Sequence, residues 1–204
     1  MSAGAGLVLV EVVIVLAAVQ RLAELVHSRR NLACLADGSP ASDSDANWGV
    51  LVALQVLWLA GCALEPALRG TVAPLPALVA GLVLFGAGET LRLWCILALG
   101  RWWNARARVD PGLRVVHHGP YRLVRHPNYL GVLLELVGLC LAAGAWWTLT
   151  LLALPHLLVL RRRMRGEDAL LFALPGYAET MGAKGALLPR LRTRAGEARP
   201  GEVR

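Results

Sequence analysis

Hydrophobic residues come along this chain in long blocks, not in the alternating or one-sided patterns of strands and helices that pack in water. Crossing a bilayer as a helix takes about 20 mostly apolar residues. The first block, Ala5 to Val19, holds Glu11 and continues as an amphipathic stretch through Gln20, Arg21, Glu24 and His27. A polar loop with turn-forming residues, Asp37 to Asp45, follows. The second block runs from about Trp48 to Leu64 and stops at Glu65-Pro66; the third runs from about Leu75 to Leu99 and carries Glu89 and Arg92 near its end. Leu130 to Leu160 is too long for one span. We read it as two antiparallel helices turning around Ala143–Trp147, with Pro155 bending the second arm because it removes a backbone hydrogen bond.

Composition agrees with a bilayer. The 204 residues are 56% hydrophobic and 17% charged, with a mean hydropathy of +0.54, against about 25% charged in soluble domains. The N-terminus lacks the basic start and small-residue cleavage pattern of a signal peptide, so it is read as a retained span. The expected fold class is therefore an all-α membrane protein of about five transmembrane helices, with a C-terminal helical hairpin and cytosolic loops. Residues 1–189 are expected to form one domain, with N-terminal spans over 1–98 and a C-terminal half over 99–189. Residues 190–204 are read as a basic, disordered tail.

Charge refines this picture. The net charge of +7 and pI near 10 would suit nucleic acid, but the basic residues crowd the ends of apolar blocks, where Lys and Arg set topology. Nucleic acid is excluded as a partner on that distribution. Arg92 to Arg125 holds seven arginines, with Asp110 the one acid, and Arg161, Arg162, Arg163 and Arg165 open the final polar region. The hairpin turn has no Lys or Arg. Five spans with the N-terminus outside and the C-terminus in the cytosol satisfy every loop. The two arginine-rich regions then meet on the cytosolic side of a cell membrane. The four cysteines form no C-x-x-C pair, so no zinc knuckle, other metal site or disulfide framework is expected.

The densest chemistry lies from His117 to Gly131, HHGPYRLVRHPNYLG. Gly119-Pro120 makes a turn. His126 precedes proline and is biased towards extended backbone, and Pro127 suits the first position of a helix. Arg125 and His126 then flank a helix N-terminus whose dipole favours an anion. Tyr121 and Tyr129 offer faces for a purine or a sulfonium. The bland alternative is a basic loop binding lipid headgroups. In Arg163-Met164-Arg165-Gly166-Glu167-Asp168, Arg163 and Glu167 share a helix face, and the hairpin returns them to the same side as His126. Among acids in apolar sequence, Glu89 is expected to pair with Arg92 and Glu135 with an arginine of the loop; Glu11 has no evident partner. His156 is read as a structural histidine bonded to backbone beside Pro155.

These stretches resemble the isoprenylcysteine carboxyl methyltransferase family of membrane methyltransferases. That family's core reads H-x-L-V, G-x-Y, R-H-P-x-Y-x-G, an apolar hairpin, then R-x-x-x-E-[ED]. The matching segments are Leu113–Val116, Gly119–Tyr121, Arg125–Gly131 and Arg163–Asp168, in order, within Leu99 to Pro189. Leu113 stands where the eukaryotic pattern has histidine, and Thr180 where a tyrosine often follows Tyr177. The segments Leu99–Trp103, Leu174–Tyr177 and Arg21–Leu25, the last followed by Arg30-Asn31, are similar to a bacterial branch associated with type III polyketide synthases, which O-methylates alkylpyrones or alkylresorcinols.

The resemblance implies S-adenosyl-L-methionine as cofactor, makes the cytosolic loops cofactor-binding loops, and makes 99–189 the catalytic half. Leu113, Val115, Val116, Tyr121, Arg125, His126, Pro127, Tyr129 and Glu167 would bind it. Arg163 would face the acceptor, and Arg163 with Glu167 would form the catalytic pair. The implied partners are a lipophilic acceptor entering from the bilayer and the membrane lipids themselves. Rival readings are isoprenylcysteine carboxyl methylation proper, phospholipid N-methylation and a non-enzymatic lipid-binding scaffold. A transporter is disfavoured because no half of the chain repeats.

Overall fold

A computed structural model describes residues 2–35, 39–42 and 48–190 of the chain. Part of the polar loop expected over Asp37–Asp45, and the tail expected from Arg190 on, except Arg190 itself, lie outside these residues. Six α-helices carry the fold: α1 (Ala3–Ala33), α2 (Trp48–Arg69), α3 (Leu75–Leu99), α4 (Pro127–Ala143), α5 (Trp146–Leu171) and the short α6 (Tyr177–Met181). Among the described residues no β-strand forms, and one isolated antiparallel bridge joins Ala41 to Arg108.

Three of the helices, α1 to α3, are long and apolar enough to cross a bilayer. Their large side chains face outward: Val15, Leu16, Val19, Val56, Leu64 and Val83 are all exposed. Such a surface would be an aggregation hazard in water and is what lipid requires. The chain is a helical membrane protein.

The helices differ from the apolar blocks in two places. α1 continues past Val19 as expected but extends beyond His27 to Ala33, unbroken for 31 residues, about 46 Å at 1.5 Å per residue. That exceeds a hydrocarbon core of about 30 Å, so its polar last turns project beyond the apolar slab. α2 does not end at Glu65-Pro66; Pro66 lies inside it, buried, and the helix continues to Arg69. Glu65 is committed elsewhere. Its carboxylate accepts from the backbone N–H of Trp147 (3.2 Å) and of Thr148 (3.1 Å), and from the Thr148 hydroxyl (3.0 Å). It thus satisfies orphan donors in the first turn of α5. Arg69 reaches the carbonyl of Gly144 at 2.6 Å. The end of α2 therefore grips the hairpin at its turn, where Gly144 takes φ +67.

α3 and α4 pack closest. A Cβ on Gly81 or Gly138 would meet backbone of the opposite helix at 2.4 Å, and one on Gly88 would meet it at 2.7 Å. On Gly131 it would meet the Arg92 side chain at 2.6 Å. Gly81 faces Gly138 and Gly88 faces Gly131, both pairs spaced by seven, so the two helices interlock antiparallel at small residues. This contact fixes the start of α4 against the end of α3, the two ends that frame the candidate site.

Between these helices lies a buried charged cluster, and it corrects the expected pairings. Arg92 bonds Glu24 of α1 and pairs with Glu135 of α4 at 3.0 Å; Arg21 bonds Glu135 and Glu24 and lies 3.5 Å from Glu89; Gln20 bonds Glu89. Glu89 and Arg92 are thus not partners, and Glu135, 1% exposed, is held by arginines of α1 and α3, not by the loop. An arginine three residues away is close along the helix, but packing turned each side chain towards a different neighbour. Glu11 is exposed on α1. His156 is fully buried and its Nδ1 lies 2.9 Å from the Leu152 carbonyl, beside Pro155 as expected.

Candidate active site

The apolar run of α5 ends at Leu160, and the helix continues to Leu171. This extension places Arg163, Glu167 and Asp168 next to the start of α4. Arg163, 3% exposed, donates from Nε to the Tyr129 hydroxyl (3.2 Å) and from Nη2 to the Ala105 carbonyl (3.0 Å). Its Nη2 lies 3.6 Å from Glu167, which also accepts a hydrogen bond from the Tyr129 hydroxyl. His126 sits between two acids, 2.9 Å from Asp168 through Nε2 and 3.7 Å from Glu167 through Nδ1. Arg125 adds a pair with Asp168 at 3.2 Å. Acids of α5 thus occupy the positive end of α4, where an anion was expected.

Electrostatics follows from these partners. Burial pushes the Asp168 carboxyl up, but hydrogen bonds and charge from His126 and Arg125 outweigh it and hold it below the usual carboxylate range. Burial drives the Tyr121 hydroxyl well above its ordinary value, reinforced by the neighbouring Cys95 thiol. Burial also raises Tyr177. Both tyrosines remain neutral rings at physiological pH and serve as walls, packed with Cys95 and Met181.

One cavity of about 470 Å³ joins these residues, within the range of small-molecule sites. Leu113, Val115, Val116, Tyr121, Arg125, His126, Tyr129, Arg163 and Glu167 all line it. Pro127 does not; it is buried at the first position of α4. His126 has φ −123 and ψ 56, outside the helical region yet short of full extension. Its N–H and that of Arg125 are bonded to the carbonyls of Ala186 (2.8 Å) and Gly185 (3.0 Å). Thr180 is half-buried and bonds the Gly176 carbonyl, whereas Met181 lines the cavity. Among the described residues, no group of three His, Cys, Asp or Glu side chains is placed to hold a metal ion.

Ser28 and Lys184 help build the site and were not singled out from the sequence, and Asn31 entered only through the resemblance. Ser28 and Asn31, buried on the projecting end of α1, hold the loop after α3. The Ala105 N–H donates to the Ser28 hydroxyl at 2.8 Å, and the Asn31 amide donates to the carbonyls of Trp103 (2.6 Å) and Gly100 (3.1 Å). Gln20, Glu24, His27 and Asn31 recur at helical spacing, a polar stripe that marks this face. Lys184 belongs to the same support: its Nζ donates to the Tyr121 carbonyl, and Arg125 donates to the Lys184 carbonyl, both at 2.8 Å.

The chain is thus a helical membrane protein with one polar-ended cavity at the mouth of an antiparallel hairpin. Its residues 79–173 match the isoprenylcysteine carboxyl methyltransferase family. The match contains the whole of α4 and α5, including Arg125–Tyr129 and Arg163–Asp168. The chain is also 27% identical over 150 residues to the uncharacterized protein YpbQ of Bacillus subtilis (strain 168), which covers 74% of this chain and 89% of that protein. It is 36% identical over 108 residues to the cobalt-zinc-cadmium resistance protein CzcN of Cupriavidus metallidurans, covering 52% of this chain and 46% of that protein.

Proposed function

We propose that this chain is an S-adenosylmethionine-dependent methyltransferase that O-methylates a lipophilic acceptor, a phenol or pyrone of polyketide type or a carboxyl group. The observation that carries this reading is the convergence of Arg163, Tyr129 and Glu167 on one cavity inside the family-matched stretch.

The residues present suit the cofactor. Glu167, Arg125 and His126 line the cavity and offer both charges that a zwitterionic amino acid needs, and Asp168 holds His126 and Arg125 from behind. Tyr121, Tyr129 and Tyr177 supply aromatic surface, and Val115 and Val116 an apolar wall. Arg125 Nε and Asn128 Oδ1 are buried and make no hydrogen bond among the described residues, so polar capacity remains at this end. When bound, the cofactor supplies the electrophilic methyl group. The protein's part is to align the acceptor oxygen in line with that methyl and to exclude water. Arg163 stabilises the acceptor oxyanion with its fixed fork of donors, and Tyr129 and Glu167 hold that fork in place. A carboxylate or acidic phenol arrives ionised, so no strong base is required.

The proposal includes five spans, α1 to α5, with α4 and α5 forming the hairpin, and a cytosolic site framed by the arginine-rich loop. It also keeps residues 1–189 as one unit whose catalytic half is 99–189. Titration calorimetry on detergent-purified protein tests the reading. Binding of S-adenosylmethionine or its demethylated product is expected, and folded protein that binds neither sinks it.

A further inference from the structure

Arg163 has a neighbour from outside the family-matched stretch. The Trp48 ring, at the first position of α2, has its centroid 5.8 Å from the Arg163 guanidinium carbon. The same ring lies 5.4 Å from that of Arg106, in the loop after α3. Both distances are within reach of a cation–π attraction, which strengthens where water is scarce. Trp48 also lines the cavity. Arg163 is thus bonded along its edge by Tyr129 and Ala105 and met by an indole ring.

We infer that Trp48 is a positioning residue: it sets the orientation of Arg163 and ties that orientation to the loop carrying Ala105 and Arg106. The inference rests on the reading of Arg163 as the group that meets the acceptor oxygen. The physical reason is that hydrogen bonds made in the plane of a guanidinium restrain its tilt out of that plane less than a ring against its face does. A catalytic donor displaced by as little as an ångström loses much of its effect. A flat aromatic ring restricts the tilt without using any of the N–H donors the acceptor needs. Arg106, sharing the ring, brings the loop over Arg163, and the Arg163 bond to the Ala105 carbonyl closes the same contact from the other side. The cofactor-side groups Arg125, His126 and Asp168 bond one another and the Lys184–Ala186 segment, so they should not sense the change.

The test compares Trp48→Leu and Trp48→Phe with the wild-type protein. With a lipophilic acceptor such as an alkylpyrone, Trp48→Leu should lower kcat roughly tenfold and raise acceptor KM. Its affinity for S-adenosylmethionine should stay within about twofold, as expected for a group remote from that ligand. Trp48→Phe, which keeps a ring face, should recover most of kcat. A second readout needs no turnover: phenylglyoxal labelling mapped by mass spectrometry should leave Arg163 unmodified in the wild type and Trp48→Phe, and modify it in Trp48→Leu. Wild-type kcat in Trp48→Leu, an equal loss in Trp48→Phe, or unchanged labelling overturns the inference. A parallel fall in cofactor affinity also overturns it, because Trp48 would then serve packing alone. If the wild-type protein binds no cofactor, the methyltransferase reading fails first, and the labelling result still decides whether Trp48 orders Arg163.

Discussion

The Nε of Arg163 donates to the hydroxyl of Tyr129 at 3.2 Å, and that hydroxyl donates in turn to Glu167. A phenol that accepts from a guanidinium and gives to a carboxylate carries strain-free polarity in both directions, and both partners come from one turn of α5. Removing the hydroxyl unties both. Tyr129→Phe is expected to cut turnover roughly tenfold to a hundredfold, the size of one or two hydrogen bonds to charged groups, and to lower the melting temperature, because the buried Arg163 Nε loses its acceptor. Turnover equal to wild type would remove Tyr129 from the site.

Arg163 and Glu167 should fail differently from each other. Arg163→Lys keeps the charge and loses the planar fork, so turnover should fall strongly while cofactor affinity stays. Glu167→Gln keeps shape and removes the charge near His126 and Arg163, so cofactor binding itself should weaken. A headgroup-binding surface would sense only positive charge, and Arg163→Lys would then be silent. Calorimetry and a methylation assay on both variants separate the two cases.

Asp168 gives a pH dependence with a definite sign. Its folded pKa is depressed, so its contribution to stability is fully present above the unfolded value, about 3.9, and is lost as pH falls through the folded value. The tie between Asp168, His126 and Arg125 should therefore loosen only at strongly acid pH. Asp168→Asn should flatten the acid limb of a melting-temperature profile below about pH 4 and leave the neutral region's slope unaltered. An unchanged acid limb would show that the Asp168–His126 contact does not form in the membrane protein.

The sequence brought out most of the helices and the motifs that meet at the start of α4, for separate reasons. α3 lies where its apolar block lies, because nothing within Leu75–Leu99 competes with the block for its boundaries. The hairpin turn falls at Gly144, a residue free to adopt positive φ. Glu65-Pro66 looked like a helix stop because proline loses a hydrogen bond. What kept α2 going is a tertiary demand that a one-dimensional pattern does not carry, the capping of α5 by Glu65. The contiguous residues Tyr121 to Tyr129, with Arg163 and Glu167, were legible as short motifs. Trp48 and Ser28 were not, since each serves the site from more than 50 residues away in sequence, through side-chain contacts that no local pattern marks.

The α3–α4 interlock predicts a contrast among glycines. Gly138→Ala would set a methyl 2.4 Å from the Phe85 backbone nitrogen, whereas Gly86 has nothing within 4 Å of a built Cβ. Overpacking of this kind costs typically about 1–3 kcal/mol. Gly86→Ala in a helix interior should instead stabilise by up to about 1 kcal/mol. Thermal melts in detergent should show opposite shifts for the two variants. Shifts of the same sign would mean that the helices stand further apart than the glycine contacts require.

The buried charged cluster predicts which sign of charge the fold can spare. Among the described residues, two guanidiniums, Arg21 and Arg92, face three carboxylates, Glu24, Glu89 and Glu135. Charge at membrane depth is tolerated only when paired, and this set already carries one surplus negative charge unless a proton neutralises it. Removing an arginine leaves three carboxylates sharing one cation. Removing a carboxylate leaves two against two. Arg92→Gln should therefore destabilise strongly, by about 3–5 kcal/mol for a broken buried pair, and Glu89→Gln should cost far less. The double variant Arg92→Gln/Glu135→Gln should recover part of the loss, because it restores one guanidinium against two carboxylates joined by Gln20. Equal destabilisation by Arg92→Gln and Glu89→Gln in detergent melts would show that hydrogen-bond geometry, not charge balance, governs the cluster.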